Sequence, residues 1–204
     1  MLSALAAPAP AAEVRNVVGS VVCAVEPTLS SLEAARQAAQ VARGGRLELV
    51  PVAGRSTGIG ASYLAAARYV AARQGTVAVA GDTRAGAGAL VHQAGRDDLL
   101  VVGAGEDHRL SAFARAAVTG AAAPVLVARP LQRGTDLDAR PLLVGPRDDR
   151  SAAEVVRAAQ AGSATIVVLA GAEAGDPFAL AVAARAPCSV LVARDMGRST
   201  DSAP

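Results

Sequence analysis

The chain has 204 residues, of which 52% are hydrophobic, so it is long and apolar enough to bury a sizeable core. It contains two Phe, two Tyr and no Trp, which requires a core of Ala, Val and Leu and argues against nucleic-acid recognition by base stacking. Its 20 basic residues are all Arg, which excludes lysine-dependent phosphate loops and lysine Schiff-base enzymes, and the net charge is only +2.

The arginines are scattered along the chain, which favours a solvated surface over a basic patch, so we expect no nucleic-acid partner. No apolar run approaches the roughly 18 residues of a membrane span, and we expect no membrane partner. Cys23 and Cys188 lie far apart in apolar runs, as buried reduced thiols do. Residues 1–15 have no basic residue before Arg15 and favour a flexible tail over a signal peptide. These features together predict a cytoplasmic protein.

Strands and helices alternate in the first part of the chain. The predicted strands, all rich in β-branched or small apolar residues, are Asn16–Val25, Leu47–Val52, Thr76–Ala80, Leu99–Val102 and Val125–Ala128. The helices predicted between them are Ser30–Ala42, which a capping box Ser30-x-x-Glu33 would start, Ala61–Arg73, Ala85–Ala94 and an alanine-rich helix after Ser111. This alternation predicts a Rossmann-like open parallel sheet with helices on both faces.

The pattern then restarts in shortened form. After a linker over 131–139, the predicted elements are a strand Pro141–Val144, a helix Ser151–Ala161 with a second capping box Ser151-x-x-Glu154, a strand Thr165–Leu169, a helix Asp176–Ala186 and a strand Val190–Ala193. The sequence VLVAR ends both parts. We therefore predict an α/β domain over 16–130, a truncated copy over 140–195 that lacks the middle units, and a flexible tail over 196–204.

In parallel sheets of this kind, ligands bind at the carboxyl ends of the strands where the strand order reverses. In the usual winding these are the first and fourth strands, followed by Glu26–Thr28 and by the glycine loop Gly103–Ser111. A carboxylate at Glu26 could accept hydrogen bonds from a ribose, with the hydroxyl of Thr28 beside it. The alternative is that Glu26 and Thr28 are only helix-entry residues.

Other polar groups favour structural explanations. His108 could be an acid, a base or a ligand contact, but the pattern favours a solvated polar loop. The segment Gly54-Arg55-Ser56-Thr57-Gly58 matches the G-x-S-x-G pattern of hydrolases, but no oxyanion segment or suitable histidine accompanies it. Asp98 reads as a turn residue, and Asp148 as a helix-start residue without enough neighbouring ligands for a metal. We therefore predict neither an enzyme nor a metal site.

Several short segments follow one another in a distinctive order. They are Val25-Glu26-Pro27-Thr28, Val52, Gly81-Asp82-Thr83, Asp98–Gly103 and Ala123–Val127, and Ala186–Val192 repeats the last of them. In this order they resemble the universal stress protein family, over about residues 16–130 in full and 140–195 in part. The resemblance implies a tandem member with a shortened second repeat, in which the last strands pair as an internal pseudo-dimer or between two copies.

The same resemblance bears on whether this chain binds ATP. In ATP-binding members a glycine-rich loop after the fourth strand holds the phosphates; here Gly103 is kept, Glu106 replaces the second glycine, and the loop to Ser111 is shorter. Glu26 replaces the family's aspartate, and in the second part Gly145 takes its place. A carboxylate near the triphosphate repels it, so the loop reads as a degenerate ATP site.

Three functions remain open on the sequence. The first is a non-catalytic stress-response regulator of the universal-stress type. The second is a sensor of ATP, another adenine nucleotide or a small ligand, with the site residues Glu26, Thr28, Val52, Gly103, Gly105, Arg109 and Ser111. The third, which we disfavour, is a G-x-S-x-G hydrolase using Ser56.

Overall fold

The structure of the chain is a computed structural model, which describes residues 20–43, 45–52, 57–81, 87–95, 98–106, 109–131, 135–146 and 148–194. Several sequence predictions lie outside the described residues: the two tails, Asp82 and Thr83, Ser56 of the hydrolase-like segment, and His108.

The described residues form eight strands and six helices. The strands are β1 (Val21–Val25), β2 (Leu47–Pro51), β3 (Ala78–Ala80), β4 (Leu99–Gly103), β5 (Val125–Ala128), β6 (Pro141–Val144), β7 (Ile166–Ala172) and β8 (Ser189–Arg194). The helices are α1 (Leu29–Val41), α2 (Thr57–Arg73), α3 (Ala87–Gln93), α4 (Ala112–Gly120), α5 (Ala152–Ala161) and α6 (Pro177–Arg185). Among these helices, none is both long and apolar enough to cross a membrane.

The predicted order of elements is confirmed, but some of their starts and ends differ. Helix α2 begins at Thr57, four residues before the predicted start, and therefore includes Gly58 and Gly60 in its first turn. Strand β3 is shorter than predicted, and β7 continues through an irregularity at Gly171, which has φ +71°. The capping box at Ser151 and Glu154 is confirmed.

The first predicted capping box is wrong. Helix α1 begins one residue before Ser30, and its N-cap residue is Thr28, which makes no side-chain capping bond. Ser30 is buried inside the first turn, and Glu33 accepts hydrogen bonds from Arg36 and Gln37 instead of reaching back to the helix start. The Ser30 hydroxyl is thus free to contact another part of the fold.

The eight strands form one sheet in the order β3-β2-β1-β4-β5-β8-β7-β6. Strands β1 to β5 are parallel to one another, as are β6 to β8, and the two groups meet where β5 and β8 pair antiparallel. The two VLVAR sequences are therefore hydrogen-bonded neighbours, with Leu126 opposite Leu191. The α/β fold with a mostly parallel open sheet is confirmed.

The sheet has an apolar core on each face. One core contains α1 and α2 packed on β1, β2, β4 and β5 through small residues such as Ala34, Ala38 and Ala67. The other contains residues of α3, α4, α5 and α6 and extends across both groups of strands. Alanine-rich helices approach a sheet closely, which explains how a chain with few aromatic residues fills its core.

A buried hydrogen-bond network crosses the junction of β5 and β8. The Ser189 hydroxyl donates to Gln37 Oε1 at 2.8 Å and accepts from the Arg129 N–H at 3.0 Å. The Gln37 amide in turn donates to the Arg129 carbonyl oxygen at 2.7 Å. Gln37 and Ser189 are fully buried, so their side chains and the Arg129 backbone must find hydrogen-bond partners within the protein, and they find them in one another.

The arginines that end the two VLVAR sequences correct the expectation of a purely solvated arginine surface. Arg129 is only 5% exposed, and its guanidinium donates to the carbonyls of Ala183 and Ala184 at the last turn of α6. Arg194, which is partly buried, donates to the Val118 carbonyl near the end of α4. Each arginine thus holds the carboxyl end of a helix from the other part of the chain, where a cation is favoured.

Replacing Ser189 by Ala tests this junction. Because Ser189→Ala leaves the Gln37 oxygen and the Arg129 N–H without a partner in the core, we expect the free energy of unfolding to fall by about 2 kcal/mol or more. Urea unfolding of the full chain measures this change. The control Ser62→Ala removes an exposed hydroxyl that bonds only the Gly58 carbonyl, and should change the stability by less than about 0.5 kcal/mol. Equal effects of the two substitutions would contradict a structural role for the network.

Candidate functional site

The candidate site lies at the carboxyl ends of β1 and β4. These strands are neighbours in the sheet, and the chain leaves them in opposite directions, to β2 on one side and to β5 on the other. The predicted position of the reversal in strand order is therefore confirmed. It brings the segment Glu26–Thr28 and the loop from Gly103 to Ser111 next to each other.

Glu26 and Ser111 connect the two loops directly. The Ser111 hydroxyl donates to Glu26 Oε2 at 3.0 Å, and it also accepts from the Ala114 N–H at 3.0 Å as the N-cap of α4. The Glu26 N–H donates to the Ser31 hydroxyl at 3.0 Å. The carboxylate is thus held in place by the N-cap residue of a helix from the neighbouring βα unit.

Burial raises the pKa of the Glu26 carboxyl above its usual value, and the hydrogen bond from Ser111 opposes this rise only in part. A carboxylate in such surroundings is costly to ionise because few groups replace its lost hydration. The site therefore presents an acidic group bonded to one hydroxyl, which suits a hydrogen-bond donor and disfavours an anion.

The two glycines of the loop are required by close packing. A Cβ on Gly103 would lie 2.7 Å from the carbonyl carbon and the hydroxyl oxygen of Ser30, so α1 presses directly against the end of β4. Gly105 has φ +111°, and a Cβ there would lie 2.6 Å from the Arg109 carbonyl oxygen. At these positions glycine serves the packing of the loop itself.

The Gly105 N–H points at α1 rather than at open space. It donates to the Ser30 hydroxyl at 3.2 Å, while the Ser111 N–H donates to the Ala104 carbonyl at 2.7 Å. Backbone N–H groups of this loop are the donors that would otherwise hold a phosphate. Two of these donors, the N–H groups of Gly105 and Ser111, already have acceptors within the protein.

The remaining predicted site residues differ in position. Thr28 lies in the site, with its hydroxyl 3.0 Å from that of Ser30 and 3.1 Å from that of Ser31. Val52 is partly buried beside β1, and its N–H donates to the Val25 carbonyl at 2.9 Å. Arg109 is exposed, and only its backbone N–H, which donates to the Glu106 carbonyl, makes a described contact.

Sequence reasoning missed Ser30 and Ser31 as site residues. The sequence pattern predicts a capping box that starts at Ser30, but the structure places the N-cap at Thr28. The sequence does carry a trace of the correct answer, because Thr28, Ser30 and Ser31 are three hydroxyl residues directly after the acid that follows the first strand. In the part of the chain that the structure describes, no cluster of His, Cys, Asp and Glu could hold a metal ion.

The raised pKa of Glu26 predicts a measurable pH dependence of stability. Since the folded state holds this proton more tightly than the unfolded state does, ionisation costs stability as pH rises from the usual carboxyl pKa through the raised one. The Glu26→Gln variant lacks this cost. Its free energy of unfolding, relative to the unmodified protein, should therefore increase in urea titrations as pH rises above the usual carboxyl pKa of about 4.

The control for this experiment is Glu154→Gln. Hydrogen bonds from Ser151 lower the pKa of Glu154, so ionised Glu154 stabilises the fold. Its replacement should therefore give the opposite pH trend, and only below the usual carboxyl pKa, with no change above it. If the relative stability of Glu26→Gln stays the same as pH rises above the usual carboxyl pKa, burial does not raise the pKa of Glu26 and this description of the site is wrong.

Solved structures with this architecture include the following three. A protein of Pseudomonas aeruginosa UCBPP-PA14, provisionally named a universal stress protein, aligns over 89% of this chain and 95% of its own with 13% identity and a TM-score of 0.62. A functionally unknown protein of Pseudomonas aeruginosa PAO1 aligns over 89% of this chain and 94% of its own with 12% identity and the same TM-score. A universal stress protein of Archaeoglobus fulgidus DSM 4304 aligns over 86% of this chain and 98% of its own, with 9% identity and a TM-score of 0.55.

No family model matches the chain, and no curated protein was found to be similar. The likeness therefore lies in the three-dimensional structure. The chain has the fold of the universal stress proteins.

Proposed function

We propose that this chain is a non-catalytic cytoplasmic regulatory protein of the universal-stress type that does not bind ATP through the glycine loop after β4. The observation that carries the proposal is the Gly105 N–H, which donates to the Ser30 hydroxyl where a phosphate oxygen would have to accept it. A triphosphate would have to break this internal bond before it gained a donor.

The charge of the site supports the same conclusion. The Glu26 carboxylate is partly buried next to this loop, and Glu106 stands on the loop, exposed to solvent. Negative groups close to a triphosphate repel it, and burial strengthens the repulsion because water screens it less. The described residues that line the site include no Lys or buried Arg to compensate.

The geometry of the polar side chains supports a non-catalytic role. At this site the Ser111 hydroxyl donates to a carboxylate, but the same oxygen accepts the Ala114 N–H and caps α4, a structural use of a serine. His92 is exposed on α3, a helix that contributes no contact to this site. A nucleophile with an adjacent base is therefore not assembled by the described residues.

The organisation of the chain supports an internal pseudo-dimer. We take residues 16–130 as one universal-stress-type unit and 140–195 as a shortened copy, with 131–139 as the linker. In the second part β8, β7 and β6 correspond to β5, β4 and β1, and units corresponding to β2 and β3 are missing. The antiparallel contact of β5 with β8 and the reciprocal contacts of Arg129 and Arg194 support a packing of the two parts about an approximate two-fold axis.

A second candidate function is a sensor for a small ligand rich in hydroxyls, such as the nucleoside part of an adenine nucleotide. Thr28, Ser30, Ser31 and Ser111 place four hydroxyls around the Glu26 region. A carboxylate with neighbouring hydroxyls suits the ribose of a nucleoside, and binding of a ribose requires no phosphate site.

Isothermal titration calorimetry with ATP and adenosine distinguishes these possibilities. We expect no binding heat from ATP at about 1 mM, a level at which a site of ordinary cofactor affinity would be filled. Heat from adenosine alone would establish the sensor, and Glu26→Ala should abolish that heat. ATP binding with a dissociation constant in the micromolar range would contradict the proposal.

A further inference from the structure

A cavity lies at the opposite end of the sheet from the candidate site. It has a volume of about 390 Å³ and opens near the amino-terminal ends of β1, β2 and β4, between the sheet and α3. Its apolar floor consists of Val22 and Val50 from the sheet and Leu90 and Ala94 from the α3 side, each no more than 8% exposed. The rest of its lining is polar or charged and consists of Ser20, Arg46, Glu48 and Asp98. A cavity of this volume is large enough for a small molecule.

One of the charged residues that line the cavity, Glu48, lies within an apolar row of the sheet. The parallel registers place Glu48 between Val79 of β3 and Val22 of β1, and Val22 pairs in turn with Leu100 of β4. Glu48 is the only charged side chain in this row of four strands. Gly81 lies against it, since a Cβ there would be 2.6 Å from Glu48 Oε1, so the chain leaves room for the carboxylate.

Glu48 has little compensation from the protein. Its one hydrogen-bond partner among the described residues is Arg46, at 3.4 Å, whose side chain is 67% exposed. Such a long, exposed ion pair contributes little. Asp98, at the same rim of the cavity, differs because it accepts hydrogen bonds from the Ser20 hydroxyl and from the Gly95 N–H. Of the two carboxylates in the cavity, Glu48 is therefore the one with less hydrogen bonding from the described residues.

We propose that this cavity binds a small organic cation with an apolar body, such as a primary amine. The apolar body would pack on Val22, Val50 and Leu90, and the ammonium group would donate to the Glu48 carboxylate in place of Arg46. An ammonium next to a partly buried carboxylate forms a charge-assisted hydrogen bond, which is stronger than the exposed pair it replaces. This inference is independent of the function proposed for the other end of the sheet.

Phenethylammonium is a suitable probe because it combines an apolar ring with a primary ammonium. We expect titration of the ¹⁵N-labelled full chain to shift the amide resonances of Val22, Val50 and Leu90 at probe concentrations of about 1 mM. The uncharged 2-phenylethanol and the anionic 3-phenylpropanoate have a similar body and should bind at least about tenfold more weakly, because they lack the charge-assisted bond.

Two variants and a control complete the test. Glu48→Gln should weaken the binding of phenethylammonium about tenfold, and Ala94→Leu, which fills the cavity, should weaken the binding of all three probes. Glu173→Gln removes an exposed carboxylate that does not line the cavity, and it should leave the affinity for phenethylammonium unchanged. Absence of shifts with phenethylammonium, equal binding of 2-phenylethanol, or unchanged affinity in Glu48→Gln would each overturn the proposal.

Discussion

The antiparallel pairing of β5 with β8 is the contact on which the rest of the structure depends. Each is the last strand of a parallel group, and all residues of β5, like the first four of β8, are buried. An apolar strand of this kind cannot stay at the edge of a sheet, where its unpaired backbone and both faces would meet water. By pairing with each other, the two strands convert two unstable edges into the middle of one sheet.

This pairing also supports the candidate site. Arg194, which ends β8, holds the Val118 carbonyl near the end of α4, while Ser111 at the start of α4 donates to Glu26. The second part of the chain therefore contacts the same helix that fixes the carboxylate of the site. Loss of the β5–β8 contact would release one end of α4 and so affect Glu26, although no residue of the second group of strands touches it directly.

The sequence predicted the elements and their arrangement better than it predicted the site. Continuous apolar runs identify β1, β4 and β5, which are buried along their whole length, because such patterns report burial directly. They also placed Glu26 and Ser111 at neighbouring strand ends. Long-range partners of polar side chains could not be predicted: the bond from Gly105 to Ser30, the burial of Arg129 and the position of Glu48 in an apolar row all depend on which strands become neighbours.

Native-state hydrogen exchange of the full chain tests the central role of the β5–β8 pairing most directly. If the two groups of strands stabilise each other, amides of β4 and β7 should exchange through the same global unfolding, with equal free energies of opening and equal dependence on denaturant. If β6 to β8 open in a separate event at clearly lower free energy while β1 to β5 remain protected, the two groups are independent units and this account of the fold is wrong.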